Sequence, residues 1–137
     1  MKAFVIDTNC LLQIIPLRSS YRPIWDAFRN GLFYICVTNE IISEYMEILG
    51  RYTTQYVAEN IVNAILRSPF CKRFSPQFHF ELIKQDPDDN KFVDCAIIAN
   101  ANYIVSEDAH FKVLSTIEFP HVNVINLDFL LEILPTL

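Results

Sequence analysis

Met1-Lys2-Ala3-Phe4-Val5-Ile6-Asp7-Thr8-Asn9 opens the chain with four consecutive apolar residues that run directly into an aspartate. The run from Ala3 to Ile6 favours β structure and lacks polar alternation. That pattern predicts a short strand buried on both faces, the usual state of strands in a parallel sheet covered by helices. Asp7 then falls at the carboxyl end of the strand, and open parallel sheets bind their ligands outside the carboxyl ends. These nine residues therefore set both the fold class and the edge of the sheet where chemistry is expected.

Three further apolar runs resemble the first: Leu32-Phe33-Tyr34-Ile35-Cys36-Val37, Tyr103-Ile104-Val105 and Val122-Asn123-Val124-Ile125. Phe78-His79-Phe80-Glu81-Leu82-Ile83 alternates apolar and polar, which predicts a fifth, edge strand and places its phenylalanines in the core. Helical patterns cover about 8–15, 22–30, 39–50, 54–67, 89–100 and 127–134, with a short helical turn near 108–114. Thr38 and Thr53 fit as N-caps and Gly50 fits a position just past a helix end. Strands alternating with helices predict an α/β domain with a mainly parallel sheet.

At 137 residues, 52% of them hydrophobic, the chain is expected to form a single domain, residues 1–137. The apolar run before Asp7 is too short for a signal-peptide core. No segment approaches the ~20 apolar residues of a spanning helix. A cytoplasmic protein without membrane contact is expected. Cys10, Cys36, Cys71 and Cys95 form no close pair and read as buried free thiols, not a zinc site or a disulfide framework. A net charge of −5 excludes nonspecific nucleic-acid binding through overall charge. The motifs of nucleotide-cradling loops and of serine-hydrolase elbows are absent, and His79, His110 and His121 lack a nucleophile partner.

The negative charge is concentrated. Asp86, Asp88, Asp89, Asp94, Glu107 and Asp108 all fall between residues 86 and 108. Asp7, the 86–89 cluster and Asp108 each follow a predicted strand, so three segments bring carboxylates to one end of the sheet. On the helix after Thr38, Glu44 lies beside the apolar stripe of Ile41, Ile42, Tyr45, Ile48 and Leu49, whereas Glu40 and Glu47 lie nearer the polar side. Helical projection turns Asp89 toward the sheet with Phe92 and Ala96, and turns Asp94 toward Lys91. Two like charges about 4 Å apart cost about 4 kcal/mol at an effective dielectric near 20. No lysine or arginine neighbours Asp7, Glu44 or Asp108 in sequence, so a divalent cation is expected, and oxygen ligation selects Mg²⁺ or Mn²⁺. Each acid alone would serve equally as a helix cap, a turn residue or a solvated charge; their joint placement favours a cation site.

These residues resemble the PIN domain nucleases. Residues 1–9 look like that family's first strand followed by D-T-N. Thr38-Asn39-Glu40-Ile41-Ile42-Ser43-Glu44-Tyr45 resembles its helix with an inward glutamate. Asp86-Pro87-Asp88-Asp89-Asn90-Lys91-Phe92-Val93-Asp94-Cys95-Ala96 and Ala101-Asn102-Tyr103-Ile104-Val105-Ser106-Glu107-Asp108 are similar to its acidic helix start and its terminal strand. Within the family, the toxin components of bacterial toxin–antitoxin pairs are the subgroup most similar. The resemblance implies a three-layer α/β/α sandwich around a parallel five-stranded sheet, and a Mg²⁺- or Mn²⁺-dependent ribonuclease cleaving single-stranded RNA. It carries onto Asp7, Glu44, Asp89 and Asp108 as catalytic metal ligands, with Asn9 and Ser106 orienting them. Asp86, Asp88 and Asp94 stay open as alternatives to Asp89. Glu107 and His110 depart from the family's commonest pattern.

The expected chemistry is in-line attack of water on the phosphate with about two metals held ~3.5–4 Å apart, leaving, as the resemblance implies, a 5′-phosphate and a 3′-hydroxyl. Arg18 and Arg22 are candidate phosphate contacts. The partners implied are single-stranded RNA, an antitoxin protein and a second copy of the chain. The alternatives are a catalytically weak PIN-fold binding or scaffold protein, and a phosphotransfer receiver or phosphatase, for which only Ser106 would stand near the final acid.

Overall fold

A computed structural model of the chain describes residues 1–84 and 87–137. Five strands of the described residues form one parallel sheet. They are β1 (Ala3–Ile6), β2 (Tyr34–Val37), β3 (Cys71–Arg73), β4 (Tyr103–Val105) and β5 (Val124–Ile125), in the order β3-β2-β1-β4-β5. The opening run is the central strand, and Phe4, Val5 and Ile6 are almost wholly buried. Each such side chain removed from water contributes about 1.5–3 kcal/mol.

The helices are α1 (Thr8–Ile14), α2 (Arg22–Arg29), α3 (Asn39–Tyr52), α4 (Gln55–Arg67), α5 (Asn90–Ala99) and α6 (Leu127–Ile133). A 3₁₀ turn over Pro87–Asp89 leads into α5, and a longer 3₁₀ segment spans Ala109–Thr116. From β1 the chain moves outward through α1 and α2 to β2, then through α3 and α4 to β3. It returns across the sheet through α5 to β4. Right-handed crossovers put connections that travel in opposite directions on opposite faces, and α5 packs across β1, β2 and β4. The sheet is thus enclosed as an α/β/α sandwich. No helix among the described residues is long and apolar enough to cross a membrane.

The fifth strand differs from the expectation. Cys71–Arg73 pairs with β2, Cys36 opposite Lys72, while 78–83 is not a strand. Glu81 has φ 53°, a left-handed conformation that interrupts extended backbone. The amides of Phe80 and Ile83 donate to the side chains of Asp94 and Asn90 (3.0 and 2.8 Å) instead of to a neighbouring strand. Phe78 and Phe80, expected in the core, are exposed.

Cap details shift by small steps. Thr38 caps α3 as expected, but Thr54, not Thr53, caps α4. Gly50 lies inside α3, where a Cβ would meet only the movable end of the Gln55 side chain at 3.1 Å and Ala58 Cβ at an ordinary 3.9 Å. Cys10, Cys36 and Cys95 are buried free thiols and Cys71 is partly covered. Burial pushes the Cys36 and Cys71 thiols up to about 11, away from reactivity.

Candidate metal centre

Strand order reverses at β1, whose neighbours β2 and β4 are reached by connections running in opposite directions. This is a topological switch point, and a crevice opens outside the carboxyl ends of the strands there. The register pairs Ile6 with Val105, and the Asp7 amide donates to the Val105 carbonyl at 3.0 Å. Asp7 and Ser106 are consequently side by side.

Asp7 is 6% exposed, and both its carboxylate oxygens are held. Oδ1 accepts from the Asn9 amide at 2.7 Å, capping α1, and Oδ2 accepts from the Ser106 hydroxyl at 2.6 Å. Burial raises the Asp7 pKa, the negative charge of Asp108 adds to the rise, and the hydrogen bonds from Ser106, Asn9 and Cys10 oppose it. Desolvation therefore outweighs hydrogen bonding at this group. Ser106 Oγ also accepts the Asp108 amide at 3.0 Å, so one buried hydroxyl ties Asp7 to Asp108. Beneath them the Tyr45 hydroxyl donates to the Ile6 carbonyl and fixes the end of β1.

Asp108 starts the Ala109–Thr116 segment, its Oδ1 accepting the His110 amide at 2.8 Å. His110 Nδ1 lies 3.5 Å from Asp108 Oδ1 and 3.7 Å from Asp89 Oδ2. Asp89 occupies the cap position of α5 with helical dihedrals and gives that helix no side-chain cap bond. Ligand atoms of Asp89, Asp108 and His110 all lie within 4.8 Å of one another.

Glu44 approaches from α3. Its Oε2 accepts the Thr8 hydroxyl, and Lys91 Nζ stands 2.9 Å from Oε1. Glu40 and Glu47 are exposed, as the helical wheel predicts. A cleft of about 240 Å³ is lined by Asp7, Asn9, Glu44, Asp89 and Asp108, together with Thr8, Ile48, Tyr52, Asp88 and Phe92. The fold thus gathers all four expected acids, with Asn9 at the wall and Ser106 behind Asp7.

The remaining acids separate. Asp94 is not turned toward Lys91: it is 4% exposed and accepts the Phe80 amide at 3.0 Å, with His79 Nδ1 at 3.1 Å. It pins the 78–83 segment to α5 and does not line the cleft. Asp88 does line it, and Asp86 lies outside the described residues. Arg22 is held by Asp26 and the Ile15 carbonyl, and neither it nor Arg18 lines the cleft.

Sequence reasoning missed Lys91 and Thr8 as the partners of Glu44. A signal for Lys91 did exist: it is a cation in the first turn of α5, where the helix dipole disfavours positive charge. Such a placement implies a carboxylate nearby in space.

The family model for the PIN domain matches residues 3–110. Two solved structures share the architecture. A chain of the DNA-bound VapBC2 complex of Rickettsia felis has a TM-score of 0.62 at 15% identity, covering 90% of this chain and 98% of that one. A chain of DNA-bound VapBC from Salmonella typhimurium has a TM-score of 0.60 at 14% identity, covering 93% and 99%. At such identities the likeness speaks for the fold. No curated protein matches.

Proposed function

The chain belongs to the PIN domain family, and from that premise we propose that it is a metal-dependent endoribonuclease acting on single-stranded RNA in the cytoplasm. One observation carries the reading: Asp7, Glu44, Asp89 and Asp108, from four separate segments, line one cleft at the switch point of the sheet. The four acids are the proposed catalytic set, supported by Asn9 and Ser106, and the 137 residues act as one domain.

The residues present suit a divalent cation. Asp89 and Asp108 offer carboxylate oxygens and His110 an imidazole nitrogen within 4.8 Å of one another. The buried Asp7 carboxylate, held above its ordinary pKa, gains from a nearby positive charge. Asp7, Asp89 and Asp108 would hold the ion, with His110 beside them, and Mg²⁺ or Mn²⁺ fits this set. Bound there, such an ion supplies activation of water and neutralisation of charge on the scissile phosphate.

The chain's own residues do the positioning. Ser106 and the Asn9 amide hold Asp7 in one orientation, and Ser106 couples it to the Asp108 backbone. Water attacks phosphorus in line, the P–O3′ bond breaks, and the products carry a 5′-phosphate and a 3′-hydroxyl.

Incubation of single-stranded RNA with Mn²⁺ and either wild type or Asp7→Asn tests the reading. Cleavage by wild type that falls at least a hundredfold in the variant is expected; equal cleavage by both refutes the assignment. The engagement of both Glu44 oxygens by the chain's own donors favours a second reading, a PIN-fold binding protein with little or no activity. Absence of Mn²⁺-dependent cleavage by wild type would favour that one. The fold shared with chains of VapBC complexes supports a toxin role restrained by an antitoxin; co-expression with the product of an adjacent short reading frame, followed by co-purification, tests this, and the oligomeric state of the purified chain tests a homodimer.

A further inference from the structure

The two ends of the acidic cleft differ in their counter-charge. At one end, Glu44 has a donor from the chain on each oxygen: the Thr8 hydroxyl on Oε2 and the Lys91 ammonium 2.9 Å from Oε1. Both partners are well covered, Lys91 being 15% and Glu44 24% exposed, so the pair is shielded from full solvent screening. Lys91 sits in the first turn of α5, where the helix dipole disfavours a cation, and Glu44 offsets that placement. At the other end Asp7, Asp89 and Asp108 converge, and no lysine or arginine is among the described residues lining the cleft.

Resting on the metal-centre reading above, we infer that the Lys91 ammonium, held on Glu44 Oε1 just outside the cleft wall, is a fixed counter-charge to the Glu44 end, so that the site takes one divalent ion, at the Asp7–Asp89–Asp108 end, and not two. A second ion on Glu44 would have to share the carboxylate with the Lys91 ammonium on Oε1, and that ammonium, tethered to α5, would repel it whether or not it kept its place. Glu44 then contributes by holding Lys91, and Lys91 is a positioning residue that acts through Glu44. Its primary charge sets the number of ions, which a merely structural lysine would not.

Mn²⁺ titration of the full chain by equilibrium dialysis, with electron paramagnetic resonance of the saturated protein, tests this without any RNA. Wild type is expected to bind one ion per chain and give the six-line spectrum of isolated Mn²⁺. Lys91→Met is expected to bind two and show a spin-coupled spectrum. Lys91→Arg, which keeps the charge, stays at one, and Lys91→Met with Glu44→Gln returns to one. Lys91→Gln replaces Lys91→Met if the latter does not fold. Two ions in wild type, or one in both wild type and the neutral variant, overturns the role of Lys91 while leaving the metal centre standing. No bound ion in wild type overturns the metal centre and the role of Lys91 together.

Discussion

Replacing Asp7 by asparagine should stabilise the metal-free protein at neutral pH while abolishing its response to metal. The Asp7 carboxyl is 6% exposed and its pKa is raised, first by burial and also by the charge of Asp108. A raised folded-state pKa means that the native protein holds this proton more tightly than the unfolded chain does. The associated stability is fully present below the unfolded value, near 3.8, and is lost as pH rises through the folded value. At neutral pH the raised pKa therefore counts against folding. Burying a carboxylate costs several kcal/mol, and its bonds from Asn9 and Ser106 return about 1.5–3 kcal/mol each. Asparagine keeps an acceptor for the Asn9 amide and a donor that the Ser106 oxygen can take. A net gain of about 1–2 kcal/mol is expected, or about 3–8 °C in melting temperature for a chain of this size. Thermal melts in EDTA should show the gain at pH 7.5 and its loss near pH 3. With Mn²⁺ at about 100 times its dissociation constant, wild type should gain about 2.7 kcal/mol and overtake the variant. A variant that melts at or below wild type in EDTA at pH 7.5, or that gains as much from Mn²⁺, would refute this account of Asp7.

Ser106→Ala removes the hydroxyl shared by Asp7 Oδ2 and the Asp108 amide; Mn²⁺ affinity measured by calorimetry should fall about 10–100-fold. His110→Gln removes the nitrogen near Asp89 and Asp108, so Mn²⁺ should weaken more than Mg²⁺ in parallel titrations, because nitrogen ligation favours the transition metal. Asp94→Ala strips the buried acceptor from the Phe80 amide and from His79. It should cost about 1–3 kcal/mol in urea unfolding and open the 78–83 segment to limited proteolysis, with cleavage there no faster than in wild type counting against its anchoring role.

The sheet was legible wherever strands were buried on both faces. Phe4, Val5, Ile35, Cys36, Ile104 and Val105 are in the core, and continuous apolar runs announce exactly that environment. The edge strand β3 was not. Cys71-Lys72-Arg73 has two exposed residues of three, and its extended state comes from backbone pairing with β2, which leaves little trace in side-chain pattern. Phe78–Ile83 failed in the opposite direction. Its alternation is that of a strand, but Asp94 and Asn90 capture its amides before any strand can. Both errors have one cause: at a sheet edge, the partner of the backbone is decided by tertiary neighbours, and β propensity reports fit to a half-buried surface more than an intrinsic preference.

The same distinction separates the readable part of the cleft from the rest. Asp7, Asp89 and Asp108 stand at element ends, and Glu44 at the border of an apolar stripe, so local geometry aims each one. What each acid meets depends on elements far away in sequence. The wheel set Lys91 beside Asp94 as a neighbour on one helix, but the ammonium crosses to α3 and Asp94 turns inward to a passing segment. Helix-surface pairs are worth only about 0.2–0.5 kcal/mol, whereas a charge-assisted hydrogen bond is worth about 1.5–3 kcal/mol. A half-buried partner on another helix therefore outcompetes the local one. Local spacing proposes charge pairs, and burial selects among them; the selection made here sets a lysine on Glu44, beside a cleft that composition alone would have balanced with metal only.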